Sequence, residues 1–178
     1  MRSSKKIDYD AEPIGDGETM IRLLCSPLYY DRETHIVSAE AFNLRMMGKN
    51  QTDHEQYASL GRKPVLEEEG HLEDYLQLGY KVWDNKEWEV NEYAGYGTFI
   101  CDEARKVNPE RIEINPLVGE NKGHVGLFYV KSDKEYFKGP LPKDQAEIVE
   151  MLGDLSRLIA NTIVEIPVKN KCIQSTDC

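Results

Sequence analysis

The sequence is poor in cysteine and has no long hydrophobic run. Its four cysteines form no C-x-x-C pair and have no histidine partner at the spacing of a structural zinc site, which argues against a zinc knuckle. No stretch approaches the roughly 18 consecutive apolar residues that a membrane-spanning helix needs. Residues 1–6 are polar and lack the apolar core of a secretory signal. These absences predict a protein of the reducing cytoplasm with no membrane partner.

Positive charge is also in short supply. Lysine and arginine number 22 against 32 aspartates and glutamates, which leaves a formal net charge of -10. The averaged field of such a protein repels phosphate backbones and anionic lipids. The densest basic pairs, Arg45 with Lys49 and Arg62 with Lys63, are too short to form a basic patch. The composition therefore argues against nucleic acid as the main partner.

The sequence does contain enough apolar material for one core. Apolar residues make up 40% of the chain and charged residues 30%, as in globular domains rather than in disordered chains. A chain of 178 residues fits one domain. Because both ends are polar and lack periodicity, we expect a flexible leader at 1–18, a single domain at 19–168 and a polar C-terminal tail at 169–178.

The clearest strand pattern lies in residues 111–130. Ile112 and Ile114 alternate with polar residues, and a second arm that starts at Val125 is almost entirely apolar. Between the two arms, the sequence Asn-Lys-Gly at 121–123 supplies residues that tolerate positive φ. The stretch therefore predicts a β-hairpin whose second arm lies inside a sheet.

Helix patterns complete the predicted architecture. Residues 144–163 carry apolar side chains at every third or fourth position, as expected of a long C-terminal helix packed on one face of the sheet. Residues 64–78 predict a shorter helix, and residues 19–25 predict a buried strand. The predicted fold is α+β, a single domain with a mostly antiparallel sheet.

An aromatic-rich segment indicates a protein-binding surface. Trp83, Trp88 and Tyr93 lie in this segment, and Trp88 is surrounded by polar residues. Aromatic side chains on polar loops are typical anchors of protein interfaces. The competing interpretation is that Trp88 folds back to cover the sheet edge.

A catalytic interpretation depends on His124, which stands beside glycines at a predicted strand end. Histidine has the intrinsic pKa that a general acid or base needs. Arg22 would then hold an anionic group, and Glu103 or Glu113 would orient the imidazole. The simpler interpretation makes His124 a polar strand-entry residue and places Arg22 on the solvent face or in a structural ion pair.

Ser59 fits only part of a nucleophile motif. Tyr57 stands where the motif G-x-S-x-G requires its first glycine, and no helix is expected directly after the serine. The sequence therefore does not predict a nucleophilic Ser59. It predicts no metal site and no cofactor.

The absence of an assembled catalytic motif favours a non-enzymatic protein-binding or accessory role, with another protein as the partner. The alternative is a small hydrolase or transferase that uses His124 with Arg22 and Glu103 or Glu113. The sequence leaves open whether the chain is an enzyme. It also leaves open a homo-oligomer formed through a sheet edge, because the pattern does not reveal which strands are edges.

Overall fold

The computed structural model describes residues 6–84, 89–119, 122–133 and 135–168, so the predicted C-terminal tail lies outside the described residues. The helices of these residues are α1 (Lys63–Glu68), α2 (Leu72–Gly79), α3 (Cys101–Val107) and α4 (Ala146–Ile159). Their strands are β1 (Thr19–Ser26), β2 (Tyr30–Asp31), β3 (Ile36–Val37), β4 (Met46–Met47), β5 (Asp53–His54), β6 (Ala58–Arg62), β7 (Glu92–Ile100), β8 (Ile112–Pro116), β9 (His124–Ser132), β10 (Glu135–Tyr136) and β11 (Val164–Glu165). A 3-10 turn at Ala39–Phe42 and a π-helical turn at Tyr80–Asp84 lie between them.

The main sheet is built from seven of these strands. Its order is β10, β9, β6, β1, β7 and β11, with β8 also paired to β9. Every pairing among the described strands of this sheet is antiparallel. This arrangement confirms the predicted α+β class and the mostly antiparallel sheet. Strand β1 lies between β6 and β7, which accounts for its nearly unbroken apolar sequence.

The structure confirms the predicted hairpin. Strands β8 and β9 pair with Ile112 opposite Tyr129 and Ile114 opposite Leu127. Strand β9 also pairs with β6 and with β10. Because β9 has neighbours on both of its edges, it is an internal strand, and residues 125–129 are buried. This internal position explains why the second arm of the hairpin is so apolar.

Helices cover both faces of the sheet. On one side, Gly97 of β7 lies against α4, and the register places Arg22 of β1 opposite Gly97. We call this side the α4 face. On the other side, Gly61 of β6 lies against α2 and is paired with Ile21 of β1. We call this side the α2 face. Successive side chains along a strand point to opposite faces, so Arg22 and Ile21 lie on different sides.

Helix α4 packs on one face, as predicted, but its 14 residues make it shorter than the predicted helix at 144–163. Its buried side chains form one stripe: Ile148, Met151, Leu152, Leu155, Ser156 and Ile159. After the helix, the hydroxyl oxygen of Thr162 accepts a hydrogen bond from the Thr98 amide at 3.0 Å and donates to the Thr98 carbonyl at 2.6 Å. These bonds to β7 direct the chain into β11 instead of further helix.

The helix predicted at 64–78 is interrupted. Gly70 has a left-handed φ of 72°. The amide of His71 donates to the carbonyl of Leu66, and the amide of Gly70 donates to the carbonyl of Glu67. This pair of bonds is a Schellman motif, which ends α1 and separates it from α2. The prediction of one continuous helix is wrong because the helical spacing of apolar residues continues across the break.

Part of the predicted leader, residues 6–18, contacts the domain. Ile7 forms an antiparallel bridge with Leu117. The Arg62 guanidinium donates to both carboxylate oxygens of Glu18, at 2.8 and 2.5 Å. Because the Arg62 side chain is buried at the end of β6, this ion pair fastens the end of the leader to the sheet.

The ion pair makes stability depend on pH. The hydrogen bond from Arg62 holds the pKa of Glu18 below its ordinary value of 4.5. The ionised carboxylate therefore contributes stability above that ordinary value, and the contribution is lost as the pH falls through the lowered pKa. We expect Glu18→Gln to lower the free energy of unfolding by about 1–3 kcal/mol near neutral pH and by progressively less in acid. Urea denaturation at a series of pH values measures this difference.

Glu67→Gln is the matched control, because Glu67 forms an exposed ion pair with Lys63. Pairs of that kind contribute only about 0–1 kcal/mol. A loss in Glu18→Gln that stayed constant from neutral pH into strong acid would contradict the role assigned to the ionised Glu18.

Candidate active site

Two polar side chains meet on the α2 face, where β6 lies beside β9. The register pairs Ser59 with Gly126 and Gly61 with His124. Ser59 and His124 therefore point to the same face as diagonal neighbours on adjacent strands. The hydroxyl oxygen of Ser59 lies 2.6 Å from Nε2 of His124. Both residues are partly buried, and their contact has the geometry of a nucleophile with its general base.

Tyr75 of α2 lies at one end of this pair. A Cβ atom at Gly61 would stand 2.8 Å from the Cζ atom of Tyr75, so only glycine lets the phenol lie this close to the strand. The Tyr75 ring meets the His124 ring edge to face, with centroids 6.4 Å apart. Tyr75 is 2% exposed. The absent side chain at Gly61 thus brings a buried phenol against the imidazole.

Two further rings lie at the other end of the pair. A Cβ atom at Gly126 would stand 2.8 Å from Phe128 and 2.9 Å from Tyr57, so both rings lean over this glycine. Their centroids are 5.3 Å apart. We call the three rings that lie against Gly61 and Gly126 on this face, Tyr57, Tyr75 and Phe128, the aromatic slot. Its walls are suited to an apolar group.

The Tyr75 hydroxyl is protonated at neutral pH. Burial raises its pKa, and the nearby Arg22 charge and Ser59 hydroxyl only partly offset this rise. The Ser59 hydroxyl lies close enough to lower the pKa of Tyr75. Even so, the Tyr75 hydroxyl makes no hydrogen bond of acceptable geometry within the described residues. It is therefore a donor without a well-placed acceptor.

Arg22 lies on the α4 face, opposite to that of His124. Its side chain is 4% exposed, and its Nε donates to the carbonyl of Ala41 at 2.8 Å. Its Nη1 donates to the carbonyl of Ser59 at 3.0 Å. The guanidinium also lies over the ring of Tyr29, 5.1 Å from its centroid. These contacts make Arg22 a buried structural cation that supports the backbone of Ser59.

The predicted carboxylates lie in different places. Glu103 is exposed on α3, a helix that packs against α4 and β8. Glu113 of β8 is exposed and accepts a hydrogen bond from the Tyr136 hydroxyl. Because the register pairs Glu113 with Phe128, it shares the α2 face with His124. The structure therefore places Glu113 on the face of His124 and does not bring Arg22 to that face.

The predicted binding residues are in the core where the structure describes them. Trp83 and Tyr93 are both buried, with stacked rings whose centroids are 5.9 Å apart. The ring of Tyr29 meets Trp83 edge to face at 6.1 Å. Neither residue presents its ring to solvent. Trp88 lies outside the described residues.

No family model, curated protein or solved structure matches the chain. The chemistry of the Ser59–His124 contact therefore carries the functional inference. Within the described parts of the chain, no group of three or more His, Cys, Asp or Glu residues is arranged to hold a metal ion. No helix in those parts is both long and apolar enough to cross a membrane.

A surface cleft of about 440 Å³ lies away from the aromatic slot. Its lining residues come from the end of the leader and the start of α1: Gly15, Gly17, Glu18, Thr19, Lys63, Pro64 and Glu67. The charged groups in this cleft already form ion pairs, Glu18 with Arg62 and Lys63 with Glu67. It offers no nucleophile with a base, so the slot is the stronger candidate.

The sequence analysis considered Ser59 only as part of an incomplete nucleophile motif and did not pair it with His124. Its partner His124 is 65 residues away, and only the pairing of β6 with β9 brings the two together. A signal was present in the repeated pattern of a polar residue, an apolar residue and glycine at 59–61 and 124–126. Such a pattern marks one face of a strand but does not say which strands are neighbours.

The burial of Arg22 has a measurable consequence. Replacing it by methionine keeps much of the side-chain volume but leaves two buried carbonyl groups without their donor. We expect Arg22→Met to lower the free energy of unfolding by about 2–4 kcal/mol. Chemical denaturation followed by tryptophan fluorescence measures the change.

Glu103→Gln serves as the comparison, because Glu103 is exposed and its replacement is expected to change stability by less than about 0.5 kcal/mol. Equal stability of Arg22→Met and the wild-type protein would show that the guanidinium has no structural role.

Proposed function

We propose that the protein is a small hydrolase or transferase in which Ser59 is the nucleophile and His124 is its general base. The observation that carries the proposal is the 2.6 Å contact between the Ser59 hydroxyl and Nε2 of His124. A serine hydroxyl is a weak nucleophile unless a base within hydrogen-bond reach accepts its proton. An imidazole has the right intrinsic basicity for that task near neutral pH.

The proposed reaction is acyl transfer from an ester. Nε2 of His124 accepts the hydroxyl proton as the Ser59 oxygen bonds to the ester carbonyl carbon. The bond from that carbon to the alcohol oxygen then breaks, and the alcohol leaves with the proton from His124. Water attacks the acyl-serine with the imidazole again as base, which releases the carboxylic acid and restores Ser59. An alcohol in place of this water makes the protein a transferase.

The walls of the aromatic slot support an apolar acyl group as the substrate. The rings of Tyr57 and Phe128 lie against Gly126, the residue paired with Ser59, and apolar contact with such rings releases ordered water from both surfaces. The net charge of -10 acts in the same direction, because it disfavours strongly anionic substrates.

The reaction is tested with p-nitrophenyl butyrate and with a fluorophosphonate probe that labels activated serines. We expect the wild-type protein to hydrolyse the ester and to carry the label on Ser59. Ser59→Ala and His124→Gln should each reduce the rate by at least about 100-fold, because each removes one half of the nucleophile–base pair. Mass spectrometry of the labelled peptide identifies the modified residue.

Ser132→Ala is the control, since Ser132 is an exposed serine on the same strand as His124. Full labelling of Ser59→Ala, or no hydrolysis and no labelling of the wild-type protein, would exclude the proposed reaction.

A second candidate function is non-enzymatic protein binding through the edge of the sheet at β11. Among the described strands β11 pairs only with β7, so its other edge is open to a further strand. Ile36, Val164 and Val168 are 62%, 46% and 51% exposed. Nδ1 of His35 lies 3.0 Å from the carboxylate of Glu165, which brings Ile36 beside this edge. An exposed apolar edge of this kind favours a protein partner, and a second copy of the chain is the simplest one.

Self-association at this edge is tested by light scattering over a range of protein concentrations. The net charge of -10 makes two copies repel each other, so we expect the apparent mass to rise with concentration and to rise further when salt screens the charge. Val164→Lys should keep the protein monomeric. Val149→Lys, the same change at an exposed valine of α4, should not. Equal effects of the two substitutions would contradict pairing through β11.

A further inference from the structure

The buried hydroxyl of Tyr75 needs an explanation. Buried polar atoms almost always have a hydrogen-bond partner, and an exception in a folded protein is explained by a catalytic role, by a bound water or ion, or by strain. Within the described residues, the Tyr75 oxygen is buried and has no partner of acceptable geometry. The side chain is held rigidly, because its ring lies against Gly61 and meets His124 edge to face.

The position of this hydroxyl is set by the sheet. The Cζ atom of Tyr75, which carries the hydroxyl, lies over Gly61, and Gly61 is opposite His124 and two residues from Ser59 on the same face. The Ser59 hydroxyl is also near enough to lower the pKa of Tyr75. The phenol therefore lies near Ser59 on the same face of the sheet.

The protonation state of Tyr75 suits a hydrogen-bond donor. Burial raises the pKa of Tyr75, so the phenol keeps its proton near neutral pH. A protonated phenol donates one hydrogen bond, whereas a phenolate would repel negative charge. Negative charge is what develops on the carbonyl oxygen when a serine attacks an ester.

We propose that Tyr75 is a catalytic residue of the slot, whose hydroxyl donates a hydrogen bond to the oxyanion that forms when Ser59 attacks an ester carbonyl. This inference rests on the proposed function. The step balances without another reactant: Ser59 gives its proton to His124, the carbonyl oxygen takes the electron pair, and Tyr75 only donates a hydrogen bond. The substrate class is an uncharged carboxylic ester whose acyl group contacts Tyr57 and Phe128.

The test is Tyr75→Phe, which removes one oxygen and keeps the ring against Gly61 and His124. With p-nitrophenyl butyrate we expect kcat to fall by roughly 100- to 1000-fold with little change in KM, as on the loss of one oxyanion donor. The pH dependence of the residual rate should stay as in the wild-type protein, because the imidazole is untouched. The thermal midpoint should stay the same or rise, because the lost hydroxyl had no good partner in the folded state.

Tyr93→Phe is the matched control, since its hydroxyl is also buried and without a partner in the described residues, while its ring stacks on Trp83 and not against His124. It should keep the wild-type kcat.

If wild-type Ser59 is labelled and active but Tyr75→Phe keeps its kcat, the assignment of Tyr75 is wrong and the proposed function stands. If kcat and the thermal midpoint fall together, or the pH profile shifts, Tyr75 supports the fold or His124 and is not an oxyanion donor. If the wild-type protein is neither labelled nor active, the proposed function fails first.

Discussion

The antiparallel pairing of β6 with β9 is the constraint on which the site depends. It joins two segments that are far apart in the chain and fixes Ser59 opposite Gly126 and Gly61 opposite His124. Side chains alternate between faces along each strand, so a slip of one residue in either strand would move its polar group to the other side. The slip would also place apolar side chains beneath α2. Because β9 pairs with strands on both of its edges, its register is fixed, and the register in turn fixes the contact between the Ser59 hydroxyl and the His124 imidazole.

The two faces of the sheet make different contacts with β6. On the α4 face, Arg22 bonds the backbone carbonyls of Ala41 and Ser59. Strand β1 pairs with β6 at Met20 and Ile21. Beyond these pairs, the Arg22 guanidinium donates to the Ser59 carbonyl, as a strand amide would in a continued ladder. On the α2 face, the ring of Tyr75 rests on the sheet. Arg22 thus bonds the backbone of β6 on one side of the sheet, while the Ser59 side chain contacts His124 on the other.

Regular patterns in the sequence predicted the regular parts of the fold. Alternation at 112–115 followed by an apolar arm identified the hairpin, because a strand with one polar face and an internal strand have different patterns. The stripe of α4 was equally readable, although its end was not, since Thr162 stops the helix through bonds to a distant strand. Gly70 was a local signal of a helix end that the apolar spacing concealed.

The site was harder to predict because its residues are not close in sequence. His124 was proposed from its chemistry alone, whereas its contact with Ser59 depends on which strands are neighbours, and a short motif gives no information on strand neighbours. The aromatic residues raised a different difficulty. Spacing and polarity do not distinguish a ring at an interface from a ring in the core, and Trp83 and Tyr93 are in the core. Arg22 was expected on the solvent face or in a structural ion pair, but it is buried and donates to two backbone carbonyls, partners that carry no sequence signal.

The crossed arrangement of two polar residues, each facing a glycine, has an evolutionary consequence. One residue separates Ser59 from Gly61, and one residue separates His124 from Gly126. The site therefore appears in the sequence as two short motifs, the signatures S-x-G and H-x-G. The glycines are needed for the rings that lie against them, whereas the intervening Leu60 and Val125 point into the opposite layer and need only be apolar residues of fitting volume. Distant relatives that keep the contact between serine and histidine should therefore preserve both signatures even where the rest of their sequences has diverged.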